Sequence, residues 1–150
     1  MDYVDLIKAS QVLCQSPAIG KTQFFRAIFN LFSCNQDDHS KNWAFLMNDS
    51  GTWKPTPFYD ITFSPTPHNQ HITSFNGYGN KPPLQTIQYM SQQANFSHWN
   101  EARESIEHII DAIHEWDGIS IKMNISRPIR QLISKQLNKT WKDNKHLVET

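Results

Sequence analysis

The chain carries no excess charge of either sign. Its 150 residues hold 14 Lys and Arg against 14 Asp and Glu. No global positive field therefore draws it to nucleic acid or to anionic lipid. Long apolar runs are missing too, and the longest fall far short of the ~20 residues that a membrane-spanning helix needs. The opening MDYVDLIKAS has an acidic start and no apolar signal core. Two cysteines, Cys14 and Cys34, are too few for a disulfide framework, so the expectation is a reduced, soluble, cytoplasmic protein. No GxxxxGK[ST], HExxH or CxxC spacing occurs, which leaves the seven histidines without a zinc pattern. Aromatic residues, by contrast, are plentiful: nine Phe, five Trp and four Tyr argue against disorder. A chain of this length forms one domain, here spanning residues 1–150, and buries about two thirds of its unfolded surface.

Periodicity predicts a mainly α fold with one small hairpin. Asp2 is a candidate N-cap ahead of the stripe Val4, Leu6, Ile7, Val12 and Leu13. Ser16-Pro17 and Gly20 read as a break. Lys21 to Phe32 then forms a second helix, apolar on more than one face and hence buried. The polar stretch SCNQDDHSKN, 33–42, precedes Trp43–Met47, the turn Asn48-Asp49-Ser50-Gly51 and Thr52–Lys54, which together read as a hairpin. From Tyr59 to about Tyr78 turn formers predict a loop. Leu84–Gln93 is a helix with Pro83 at its start. His98–Trp116 is another, with Ile106, Ile109, Ile110, Ile113 and Trp116 as its stripe and Gly118 as its end. Ser126 caps a last helix whose apolar face is Ile129, Leu132, Ile133 and Leu137.

The polar stretch carries the chemistry. Asp37 and Asn42 are separated by four residues, and Asp60 follows eighteen residues after Asn42, beyond the hairpin. A phosphotransferase needs a carboxylate to take or orient the proton of the attacking hydroxyl. It also needs an amide oxygen and a second carboxylate to hold magnesium on the nucleotide. Protein kinases supply these in the order Asp, Asn, hairpin, Asp. Magnesium prefers hard oxygen donors and keeps several waters, so one Asn and one Asp suffice beside phosphate oxygens. From spacing alone, a solvated polar turn whose Asp and Asn cap neighbouring helices accounts for the same residues.

Phe29-Asn30 followed by Asn35-Gln36-Asp37-Asp38-His39-Ser40-Lys41-Asn42, and then Pro57-Phe58-Tyr59-Asp60-Ile61, resemble the catalytic and metal segments of the HipA-like serine/threonine kinases, the toxins of bacterial toxin–antitoxin modules. The helix that ends near Trp116 is similar to that family's as well. The resemblance implies a protein-kinase-like C-terminal lobe of the HipA type, an α+β fold. It implies Asp37 as catalytic base and Asn42 and Asp60 as magnesium ligands. His39, Lys41, Asn42, Tyr59 and Asp60 would lie on the nucleotide, with ATP and Mg²⁺ as cofactors. Asp38 falls between the motif positions and receives no role. The implied partners are a DNA-binding antitoxin, a separately encoded N-lobe subunit and a protein substrate, often a component of translation.

A Gly-rich phosphate loop, its strand Lys and a partner Glu all belong upstream of the catalytic loop. Only 36 residues precede Asp37, and they read as two helices. Gly77-Tyr78-Gly79 lies downstream and reads as a turn. The expectation is thus an incomplete lobe, inactive as this chain alone, because phosphoryl transfer depends on positioning and charge stabilisation. Two other readings stay open. One is a non-catalytic module that binds an antitoxin or a separate N-lobe. The other is a metal-dependent hydrolase built on Asp37, Asp38, His39 and Asp60.

Overall fold

The computed structural model describes residues 1–149, and these form six α-helices around one two-stranded hairpin. Helix α1, Tyr3–Cys14, starts where Asp2 accepts from the Val4 amide at 2.8 Å. That bond satisfies one of the amides left open at a helix N-terminus. Tyr3, Val4, Leu6 and Ile7 turn inward, whereas Val12, assigned to the apolar stripe by periodicity, is 78% exposed. Helix α2 spans Ala18–Ser33 and is longer than periodicity suggested. Gly20, read as a breaker, lies inside it. A Cβ there would sit 2.9 Å from Ala94 Cα and 2.0 Å from Gln11 Nε2, so glycine serves a close approach of backbones and not a turn.

Strands β1, Phe45–Met47, and β2, Trp53–Pro55, pair antiparallel, with Leu46 opposite Lys54. The turn is Asn48–Gly51, as expected. Asn48 Oδ1 accepts from the Ser50 and Thr52 amides, and Gly51 supplies a positive φ of 79°. Helix α3, Leu84–Gln93, has the expected bounds. Helix α4, Trp99–His114, stops at Glu115, and a short α5, Trp116–Lys122, follows. Gly118 thus lies within a helix instead of ending one, and Trp116 belongs to the new element. Helix α6, Arg127–Asn144, has Ser126 at its N-cap position without a capping bond.

The core is built where α1, α2, α3 and α4 meet. Phe24, Ala27 and Ile28 from α2 pack with Ile7, Ile87, Met90, Ala102 and Ile106, all fully buried. Phe75 from the long loop and Leu147 from the C-terminal turn complete it. Burial of side chains this size stabilises by about 1.5–3 kcal/mol each. Ile129 and Leu132 of α6 do not join this core. They remain 53% and 61% exposed, contrary to the expected apolar face. No helix among the described residues is long and apolar enough to cross a membrane.

Candidate active site

Helix α2 ends in a left-handed residue, Cys34 (φ 59°), which reverses the chain into the polar stretch. Its buried thiol lies 2.9 Å from Thr140 Oγ1 of α6, and burial raises its pKa. Beyond it the chain runs extended and is zipped to the loop after Asp60. The Ser64 amide donates to the Cys34 carbonyl (3.1 Å), and the Gln36 amide to the Ser64 carbonyl (3.3 Å). Further along, the Ile72 amide donates to the Gln36 carbonyl (3.2 Å), while the Thr66 amide reaches Gln36 Oε1 (2.7 Å). Residues 35–38 therefore lie alongside the loop that carries Asp60.

Asp37 points outward, with its side chain 56% exposed. Its amide donates to Ser64 Oγ, and its carbonyl accepts from Asn42 Nδ2 at 3.1 Å. That bond fixes the buried Asn42 amide at the end of the 3-10 turn Ser40–Asn42 and leaves its Oδ1 as a free acceptor among the described residues. His39 Nε2 stands 4.0 Å from Asp37 Oδ1. Asp60 is held from two sides. The hydroxyl of Tyr59 donates to the Lys41 carbonyl (2.7 Å), and Asn35 Nδ2 donates to the Asp60 carbonyl (3.4 Å). Asp60 itself is left-handed (φ 54°), a conformation Asp tolerates better than most residues. Asp37, His39, Lys41 and Asn42 thus share one loop, with Tyr59 and Asp60 bonded against it. The Lys41 ammonium has no ion-pair partner among the described residues.

Aromatic packing anchors Phe58, two residues before Asp60. Trp43 stacks on Phe58 at 5.8 Å, and Phe29 meets Phe58 edge-on. Arg26 places its guanidinium 5.1 Å from the Phe58 ring and donates to the Thr56 carbonyl at 2.6 Å. Partial burial lowers its pKa. Each such cation–ring contact is worth about 0.5–2 kcal/mol. Immediately after Asp60, Ile61–Phe63 line an apolar cleft of about 270 Å³ against Ile113, Trp116 and Leu137.

The kinase resemblance left Asp38 without a role, yet it is the most tied-down side chain here. It is fully buried, and both oxygens are used. Oδ1 accepts from the Ile72 and Thr73 amides at 2.9 and 3.0 Å. Oδ2 accepts from the Tyr3 hydroxyl at 2.5 Å and from His71 Nδ1 at 2.7 Å. Burial, and then the Asp38 charge, push the Tyr3 phenol well above its usual pKa. The missed signal is the alternation of an extended chain, in which consecutive side chains face opposite ways and Asp38 points in because Asp37 points out. With its lone pairs taken, Asp38 is not free to bind a metal, and of the residues in the hydrolase reading Asp37, His39 and Asp60 remain. No group of three His, Cys, Asp or Glu side chains among the described residues is placed to hold a metal.

A mainly helical α+β domain, with an Asp–Asn loop clasped against a second Asp-bearing loop, is the class this fold and site define. The model of the HipA-like C-terminal domain matches residues 1–116, and the chain belongs to that family. It is also similar to the serine/threonine-protein kinase toxin HipA of Shewanella oneidensis, with 43% identity over 49 residues. That stretch is 32% of this chain and 11% of the relative. No solved structure matches.

Proposed function

We propose that residues 1–150 are the C-terminal lobe of a HipA-like, ATP-dependent serine/threonine protein kinase toxin, with a protein-kinase-like fold. The observation that carries this reading is the clasp. Tyr59 bonded to the Lys41 carbonyl and Asn35 bonded to the Asp60 carbonyl hold the backbone of the Asp60 loop against the loop of Asp37 and Asn42. The donor set fits magnesium, since Asn42 Oδ1 and the Asp60 carboxylate are hard oxygens with no competing thiol. Bound magnesium–ATP would supply the phosphoryl group and neutralise charge on it.

In this reading Asp37 orients the substrate hydroxyl and accepts its proton, a role that its outward, solvent-facing carboxylate permits. Asn42 and Asp60 hold the metal, while His39, Lys41 and Tyr59 sit toward the phosphates. A separately encoded N-lobe would complete the nucleotide clamp, a DNA-binding antitoxin would restrain the whole, and a cytoplasmic protein, a component of translation, would be phosphorylated. Mixing the chain with such an N-lobe and radiolabelled ATP tests this. Phosphorylation should appear and should be lost in Asp37→Asn and in Asp60→Asn; activity unchanged in both would overturn the catalytic reading.

A non-catalytic docking module is the second reading. It draws on the chain beyond the matched residues, where Ile119, Ile121, Met123, Ile129 and Leu132 are exposed. A mixture that binds an antitoxin yet transfers no phosphate would favour it.

A further inference from the structure

A buried hydrogen-bond chain runs from one side of the candidate site to the other. His71 Nδ1 donates to Asp38 Oδ2, which also accepts from the Tyr3 hydroxyl. The same hydroxyl accepts from Asn30 Nδ2 at 2.9 Å. Asn30 Oδ1 accepts from Asn35 Nδ2 at 2.9 Å. Asn35 then reaches both parts of the second loop: its Nδ2 donates to the Asp60 carbonyl, and its Oδ1 accepts from Ser64 Oγ at 2.8 Å. Tyr3, Asn30, Asn35 and Asp38 are each at most 2% exposed, and His71 is 7% exposed. Five polar side chains from α1, α2 and two loops thus form one satisfied interior network.

Placement makes this more than fold support. Asp38 is the neighbour of Asp37, so holding Asp38 inward fixes the outward direction of Asp37. Asn35 grips Asp60 by its carbonyl. The two residues that must hold their spacing for metal and proton chemistry are therefore braced from behind by the same chain of bonds. Bonds in a low-dielectric interior are strong when complete, and a broken link leaves a buried group unpaired. Preorganised positioning of this kind is what phosphoryl transfer demands.

We infer that Asp38, through Tyr3, Asn30 and Asn35, is the positioning residue that sets Asp37 and Asp60 relative to each other. The inference rests on the phosphotransferase reading for what the two loops do, but not for their coupling. Replacing Asp38 by Asn swaps an acceptor of four bonds for an amide whose nitrogen faces donors. Amide hydrogen exchange and Mg²⁺ titration followed by NMR, on the full chain, test it. In Asp38→Asn, exchange should rise about tenfold or more at 35–42 and also at 60–64, while α4 stays protected. Mg²⁺ affinity per folded molecule should fall in parallel. A variant that loses global stability while both loops keep native exchange overturns the inference.

Should Asp38→Asn fail to fold, Tyr3→Phe decides. It breaks the link to Asn30 without touching either loop's backbone, so faster exchange at 60–64 supports the coupling and native exchange there refutes it. Wild-type protein that binds no Mg²⁺ would count against the phosphotransferase reading alone, because the exchange comparison still decides the positioning role.

Discussion

Replacing Tyr3 by Phe removes one oxygen from the centre of the molecule, and its consequence can be worked out in both size and pH dependence. The ring keeps its packing, 4.8 Å from Phe75 and 5.7 Å from Trp43 between centroids. What goes is the bond to Asp38, a contact with a charged acceptor worth about 1.5–3 kcal/mol net. Asn30 Nδ2 also loses its acceptor. A total cost of about 2–4 kcal/mol follows, which lowers Tm by roughly 5–15 °C for a domain of this size. The pH dependence supplies the sharper test. In the unfolded chain Tyr3 ionises near its usual pKa of about 10. Burial and the Asp38 charge hold it protonated in the folded state well above that. Above pH ~10 the unfolded chain therefore binds fewer protons, and stability falls with rising pH by up to ~1.4 kcal/mol per unit. This contribution is fully present below the unfolded pKa and is lost as pH climbs from there toward the folded value. Tyr3→Phe has no such group, so its deficit relative to wild type should shrink as pH rises from 10 to 11. The two buried thiols, also raised, are common to both proteins and cancel in the difference. Urea unfolding at pH 8 to 11, followed by circular dichroism, gives the curves. A deficit constant across that range would refute the account of Tyr3.

Further outcomes follow from other residues. Gly20→Ala should destabilise by about 1–3 kcal/mol in thermal melts, because backbone overlap with Ala94 outweighs the ~1 kcal/mol gained in helix propensity; stabilisation would contradict the close approach. Phe24→Ala in the fully buried core should cost about 3–5 kcal/mol, read as a lower urea midpoint. Ile129→Lys and Leu132→Lys should change stability by less than about 0.5 kcal/mol, since both are mostly exposed. Cys14 and Cys34 should react slowly with a thiol reagent until the protein unfolds, being buried with raised pKa values.

Much of the fold was legible because local signals agreed with tertiary need. The cap at Asp2, the turn at Asn48–Gly51 and the bounds of α3 follow from chemistry within a few residues. Glycine was the main source of error. Gly20 looks like a helix end in a one-dimensional pattern, but only the arrival of Ala94 at the end of α3 and of Gln11 from α1 explains it. Gly118 similarly concealed that α4 and α5 are separate. For the candidate site, spacing pointed to Asp37, Asn42 and Asp60, and the loops that carry them do lie together. The buried role of Asp38 was out of reach for a different reason. Its partners, Tyr3 and His71, lie 35 and 33 residues away along the chain, and no local pattern connects them. Ile129 and Leu132 show the converse case, in which helical periodicity names an apolar face but cannot say whether anything covers it.

The most direct test of the catalytic assignment is a titration of the ¹⁵N-labelled chain with Mg²⁺ and then Mn²⁺. Shifts under Mg²⁺ and broadening under Mn²⁺ should centre on Asp37–Asn42 and Tyr59–Ile61 and vanish in Asp60→Asn. Resonances in those two segments that stay unmoved at millimolar metal, or broadening centred elsewhere on the molecule, would contradict it.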